Sequence, residues 1–149
     1  MKTEPDAFSI QDLRKRPGRR EAWDGVRNYQ SRNYMRDDMR VGDDVLFYHS
    51  SVSPAGIVGL AAIAKAAEPD VTALDPRSDY HDPKATSEKN PWVKVTVEFR
   101  REFPRMLTLD ELRSTPGLEG MLVIKRGMRL SIQPVRPEEF AIVLKLAAG

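Results

Sequence analysis

Residues 92–99 read WVKVTVEF, and the alternation in this run constrains the chain more than any other feature. Val93, Val95, Val97 and Phe99 fall on one side of an extended backbone and Lys94, Thr96 and Glu98 on the other, the period of a half-buried strand. Such a strand needs neighbours, and two further runs supply them. In DVLFYHSS, from Asp44, the residues Val45, Phe47 and His49 share one face and Leu46, Tyr48 and Ser50 the other. GIVGLAAIAKA follows a turn at Pro54-Ala55-Gly56, and its β-branched residues favour a strand over the helix its alanines would allow. RLSIQPV, residues 129–135, predicts a last strand.

The helices are short and separately signalled. Ser9 caps IQDLRKR ahead of a Pro17-Gly18 breaker, and after a loop leading into Trp23, Asn28 caps a second helix to about Met39, before the turn at Gly42-Asp43-Asp44. Thr108-Leu-Asp-Glu111 is a capping box whose helix stops near Pro116-Gly117, with a second short element over 118–125. Pro137 opens a terminal helix with an apolar stripe of Phe140, Ile142, Val143, Leu144 and Leu146. Residues 68–91 hold four prolines and many Asp and Ser, so they predict a long surface excursion with room for one helical turn. Strands interspersed with short helices, without regular βαβ alternation, predict an α+β fold: a small curved or barrel-like mixed sheet of four or five strands with flanking helices. The chain of 149 residues, without internal repeat or linker, suits one domain, 1–149.

Several function classes fall away. There is no Cys, which removes disulfides, thiolate metal sites and cysteine nucleophiles and fits a reducing, cytoplasmic setting. MKTEPDAF puts acidic residues where a secretory signal needs an apolar run, and the longest apolar run, Ala55 to Ala64, is about half a membrane span. Walker and Gly-x-Ser-x-Gly motifs are absent, Gly56-Ile-Val-Gly59 reads as a strand with close backbone approach, and His49, Ser50 and Ser51 alternate faces, so they form no triad. Asp75, Asp79, His81 and Asp82 match no zinc or EF-hand spacing and read as a loop held by Asx turns; no metal and no cofactor is expected. His49, beside aromatic residues in a strand, reads as a hydrogen-bonded structural histidine.

Charge is uneven: residues 1–40 carry +3, 41–91 carry −4 and 92–136 carry +4 within a net +2. Arg outnumbers Lys sixteen to eight, and most of these arginines read as solvated surface. The exception in composition is WDGVRNYQSRNYM, residues 23–35, which has aromatic, amide and guanidinium groups and hardly an aliphatic one. Those are the types that grip a nucleobase, with a flat surface for stacking and amides or guanidinium groups for its edges and phosphate. On a helix Tyr29 with Asn33, and Asn28 with Arg32, lie along adjacent strips. Composition alone leaves two readings open: a pocket wall, or a segment in which Trp23 and Tyr34 are core.

The order KTEP (2–5), WDGVRNYQSRN (23–33), VGDDVLFYHSS (41–51), PAGIVG (54–59), DPRSDYHDPK (75–84), the strand from Trp92 and RLSIQPV resembles the EVE domain family of the PUA-like group, from Lys2 to the terminal helix. The resemblance implies a PUA-like pseudo-barrel, a mixed curved sheet with flanking short helices, and a pocket. In related YTH and SRA readers such a pocket holds a flipped base. Carried onto this chain, the resemblance implies one wall of Trp23, Asn28, Tyr29, Arg32 and Asn33, with Tyr48, Ser50 and Ser51 at the strand end opposite. Gly56 and Ile57 would let backbone approach the ligand, Pro76 and Tyr80 would form a lid, and Arg129 with Ser131 would face phosphate. Thr3 stands where the family commonly has Ser and keeps the hydroxyl; Met128 replaces a usual Asn and Phe140 a common Trp.

The function expected is therefore a non-catalytic, monomeric reader of modified cytosine or adenine in DNA or RNA, single-stranded or with a flipped base. Two alternatives stand beside it. One is a nucleotide-processing enzyme with Asp24 or Asp79 as general base; the other is a small-metabolite sensor or protein-interaction module using the same pocket.

Overall fold

A computed structural model describes every residue from Met1 to Gly149. Its five-stranded sheet runs in the order β1-β3-β4-β5-β2, with β1 Lys2–Thr3, β2 Arg20–Trp23, β3 Asp44–His49, β4 Gly56–Pro69 and β5 Val93–Thr108. Only β1 and β3 pair in parallel; the other pairs are antiparallel. The fold is α+β, with helices α1 Ile10–Lys15, α2 Tyr29–Asn33, α3 Leu109–Arg113 and α4 Pro137–Ala148 around the sheet. None is long and apolar enough to cross a membrane.

Both faces of the sheet are covered, and β3 shows why its sequence is apolar on both sides. Val45 and Phe47 enter one core with Ile10 and Leu13 of α1, while Leu46 and Tyr48 enter a second with Leu112 of α3 and Val143 of α4. The longest strand serves both cores in turn. Val95, Val97 and Phe99 fill the first and Phe103 and Leu107 the second, although all five are odd-numbered. The switch occurs where Phe99 pairs with Ala61 and Arg101 with Leu60, leaving Arg100 as an extra residue that turns every later side chain over. Gly59 and Gly56 let β4 bend against β5 there: a side chain on Gly59 would overlap the Arg101 carbonyl, and one on Gly56 the Leu107 carbonyl.

The local signals act as their chemistry requires. Ser9 closes a capping box with Asp12, Asn28 accepts from the Ser31 amide at 3.0 Å, and Thr108 accepts from Glu111 at 3.2 Å. After α2 the chain makes one π-helical turn, Tyr34–Asp38, ended by the Met39 amide bonding the Tyr34 carbonyl. The 68–91 excursion contains one short 3₁₀ turn, Val71–Leu74.

Three sequence expectations change. The stretch leading into Trp23, expected as a loop, holds β2; Lys2–Thr3, too short to show alternation, forms β1; and β5 continues past Phe99 through Arg100, Arg101 and Pro104 to Thr108. Residues 129–135 form no strand. The Ser131 carbonyl takes the Lys2 amide at 2.8 Å, but Pro134 has no N–H to give, and the Gln133 side chain turns back onto the Leu130 carbonyl at 2.7 Å. Ile132 is nevertheless buried in the first core, so the alternation in RLSIQPV reflects burial without a ladder.

Candidate functional site

A hollow of about 580 Å³ lies where β1, the end of β2 and the excursion after β4 meet, a size suited to a small ligand. Thr3, Phe8, Trp23, Asp24, Asn28, Tyr80 and Ser131 are among its lining residues. Trp23 is fixed by edge-on contacts with Phe47, 5.8 Å between ring centroids, and Phe8, 6.5 Å. The Thr3 hydroxyl donates to the Phe8 carbonyl at 2.9 Å, so the N-terminal segment is tied down on the same side.

Beyond Trp23 the chain turns sharply at Gly25, whose φ is 78°, and any side chain there would strike the Tyr80 ring. The turn is anchored by Asp70, which is fully buried and accepts from the Gly25 amide at 2.9 Å and the Thr72 amide at 3.0 Å. Arg27 completes the anchor: it donates to Asp70 at 3.0 Å, to the Thr72 hydroxyl at 3.1 Å and to the Tyr80 carbonyl at 2.9 Å. Burial alone would raise the Asp70 carboxyl, but hydrogen bonds from Thr72, the Gly25 amide and Arg27 outweigh it and hold its pKa below the ordinary value. Arg27 thereby sets Tyr80 over the hollow.

Asp24 differs from Asp70 in having no hydrogen-bond donor from another residue. Burial, followed by the charges of Asp70 and Glu21, raises its pKa, with Lys94 opposing. Asn28 uses its side-chain oxygen to cap α2 and leaves its amide Nδ2 unpartnered at the hollow. Lys2 contributes a cation whose pKa is lowered by burial.

Of the residues expected at a site, the structure gathers Thr3, Trp23, Asn28, Tyr80 and Ser131 around this hollow. The rest lie elsewhere for identifiable reasons. Tyr29 stacks on Trp92 at 4.7 Å, while Arg32 covers Tyr29 at 4.9 Å, donates to the Pro91 carbonyl at 3.0 Å and holds Asn33 through its Nε. Tyr29 and Arg32 thus pin α2 to the end of the excursion. Tyr48 and Ile57 face a second cavity, of about 530 Å³, on the far side of Lys2 and Ser131. Ser50 donates its amide to the Thr3 carbonyl at 2.8 Å, and Ser51 is an exposed turn residue with φ 59°. Gly56 admits the β5 backbone at Leu107; Pro76 sits in an exposed turn, and Arg129 is exposed outside the hollow. His49 is structural: burial lowers its pKa, and its Nε2 accepts the Ile10 amide at 3.1 Å. Asp82 accepts the Trp92 indole N–H at 2.7 Å, and Asp75 accepts the Arg77 amide at 2.9 Å as an Asx turn.

The sequence alone does not single out Gly25, Arg27 and Asp70 as site residues. Asp70-Val-Thr72 carries the signature of a capped turn, yet nothing local says that the cap lies beneath a residue 45 positions away.

Comparison with known proteins places this arrangement among relatives. The EVE domain family model matches residues 1–146. Human thymocyte nuclear protein 1 is 40% identical, over 98% of this chain and 72% of that protein. A crystal structure of a protein from Pseudomonas putida has a TM-score of 0.91 at 50% identity, covering 99% of this chain and 97% of that one. The crystal structure of human THYN1 protein in complex with 5-methylcytosine containing DNA has a TM-score of 0.93 at 39% identity, covering 100% of this chain and 96% of that one.

Proposed function

This chain belongs to the EVE domain family, and from that premise we propose that it is a non-catalytic reader holding a modified, extruded base of DNA or RNA in the hollow beside Trp23. The observation that carries the reading is the juxtaposition of a fixed indole with unpartnered polar groups, the Asp24 carboxyl and the Asn28 Nδ2, in a fold shared with a relative bound to 5-methylcytosine DNA. Stacking on an aromatic side chain contributes about 1–3 kcal/mol per base, and a carboxylate accepts from the exocyclic amino group of cytosine. Thymine carries the same methyl group as 5-methylcytosine and lacks that amino group, so Asp24 separates two bases that stacking alone treats alike. Unstacking costs least where the base is already unpaired, which favours single strands and damaged sites.

The chain acts as a monomer in this reading, and its place is the cytoplasm as the absence of Cys suggests, although its human relative is named a nuclear protein. The raised pKa of Asp24 is what a general base in a nucleotide-processing enzyme would also use. Titration of labelled single-stranded oligonucleotides carrying cytosine, 5-methylcytosine, methyladenine or thymine tests the reading, with product analysis after prolonged incubation. Saturable preference for one modified base, lost in Trp23→Ala and without turnover, is expected. Equal binding of all bases, or a released product, overturns it.

A further inference from the structure

Ion pairing divides the cations of this protein into two groups. Eight arginines sit against carboxylates, from Arg14 with Glu102 at 3.0 Å to Arg136 with Glu139 at 3.3 Å. The segment 125–129, KRGMR, contributes none of them: Lys125, Arg126 and Arg129 are exposed and pair with no carboxylate. The chain there makes a tight turn, closed by the Met128 amide on the Lys125 carbonyl at 3.2 Å, with Gly127 at φ 78°.

Two more cations hold this turn by its carbonyls. Arg113 donates to the Ile124 carbonyl at 3.1 Å, and Lys2 donates to the Met128 carbonyl at 3.1 Å. Five cationic side chains therefore converge without an acidic partner, and two of them fix the backbone so that the other three project outward. Lys2 also lines the hollow, as does Ser131, two residues beyond Arg129 and so within about 7 Å of it along the chain.

We infer that the 125–129 turn is a phosphate clamp for the strand whose base occupies the hollow, with Lys125 and Arg126 against its phosphodiester backbone, beyond the phosphate contact that the family resemblance implies for Arg129. The inference rests on the reader reading and adds the groups that set its affinity. A cation already matched by a carboxylate gains little from a phosphate, whereas an unmatched one displaces the counterions condensed there. Contacts of this kind position a strand and carry no base information.

Fluorescence anisotropy with a labelled single strand containing 5-methylcytosine, from about 50 to 200 mM salt, tests it. The slope of log affinity against log salt should flatten by about 0.7 for each cation removed, so by about 1.4 in the double variant Lys125→Gln/Arg126→Gln. Its preference for the modified base should stay that of the parent. Arg105→Gln is the control, because Arg105 is held by both Glu111 oxygens at 2.6 and 2.9 Å, and it should leave the slope unchanged. An unchanged slope in the double variant, or an equal flattening in the control, overturns the clamp while the reader stands. Binding by the parent that ignores salt overturns the clamp alone, and no binding by the parent overturns both.

Discussion

The two cavities on either side of Lys2 and Ser131 are nearly equal in volume, about 580 and 530 Å³, and opposite in lining. Around the first stand Glu4, Glu21, Asp24, Arg27 and Asn28; around the second stand Val45, Leu46, Ile57, Ile63, Met121 and Phe140. The first takes its shape from hydrogen bonds to one buried carboxylate, Asp70, and the second from packing between β3, β4 and α4. Size therefore does not separate the two; the presence of polar groups without partners does, and the proposed site rests on it. In the apolar cavity burial raises the pKa of Tyr48, the response of a phenol surrounded by hydrocarbon.

The contrast can be broken at its strongest point first. Asp70→Ala leaves Arg27, only 22% exposed, without its carboxylate and should lower the unfolding free energy in urea by about 3–5 kcal/mol. Because the folded pKa of Asp70 is depressed, its stabilisation is present above the unfolded value of 3.8 and lost as pH falls through the folded one. Parent and variant should therefore converge in strong acid, and a gap that widened there would count against the anchor.

Ile57→Ala, in the wall of the apolar cavity, should cost about 2–5 kcal/mol of stability and leave base preference untouched. A changed preference would erase the distinction between the cavities. Trp23→Ala should act in the other direction, weakening oligonucleotide binding by about 1–3 kcal/mol. The smallest effect belongs to Asp24→Asn. A raised carboxyl pKa means the charged form is disfavoured in the fold above the unfolded value, but Asp24 is exposed and screened by solvent, so the amide should gain at most a few tenths of a kcal/mol, roughly, at neutral pH and nothing in acid. The same variant should bring binding of 5-methylcytosine and thymine toward parity.

Much of the fold is legible wherever the physics is local. Ser9, Asn28, Thr108 and Pro137 announce helix starts because the capping groups sit within three residues of what they cap. The strands β3 and β4 show in their apolar runs. β1 and β2 do not, because strands of two and four residues exist only through their partners. RLSIQPV misleads because burial of Ile132 produces the same alternation as a paired strand. At the site, Trp23 stands out by composition, but Tyr29, Arg32 and Asn33 carry the same residue types and are turned toward Trp92 and Pro91. Residue type names the chemistry available, and only the tertiary direction of α2 says where it is used.

Arg100 has one more implication, which concerns length. Its side chain is exposed and pairs with Glu98 on its own strand, so many residues could stand in its place. The ladder resumes just past it with Arg101 on Leu60, so its removal would close a regular pairing. Deleting it would leave Phe99 on Ala61 and Arg101 on Leu60 in plain alternation, with Phe103 and Leu107 still toward the second core, whereas deleting Glu102 would rotate both out of it and a residue added to the 75–90 segment would only lengthen a loop. Along β5, related sequences can be expected to differ in spelling and even by one letter at this position, and to keep the count of letters between Arg101 and Leu107.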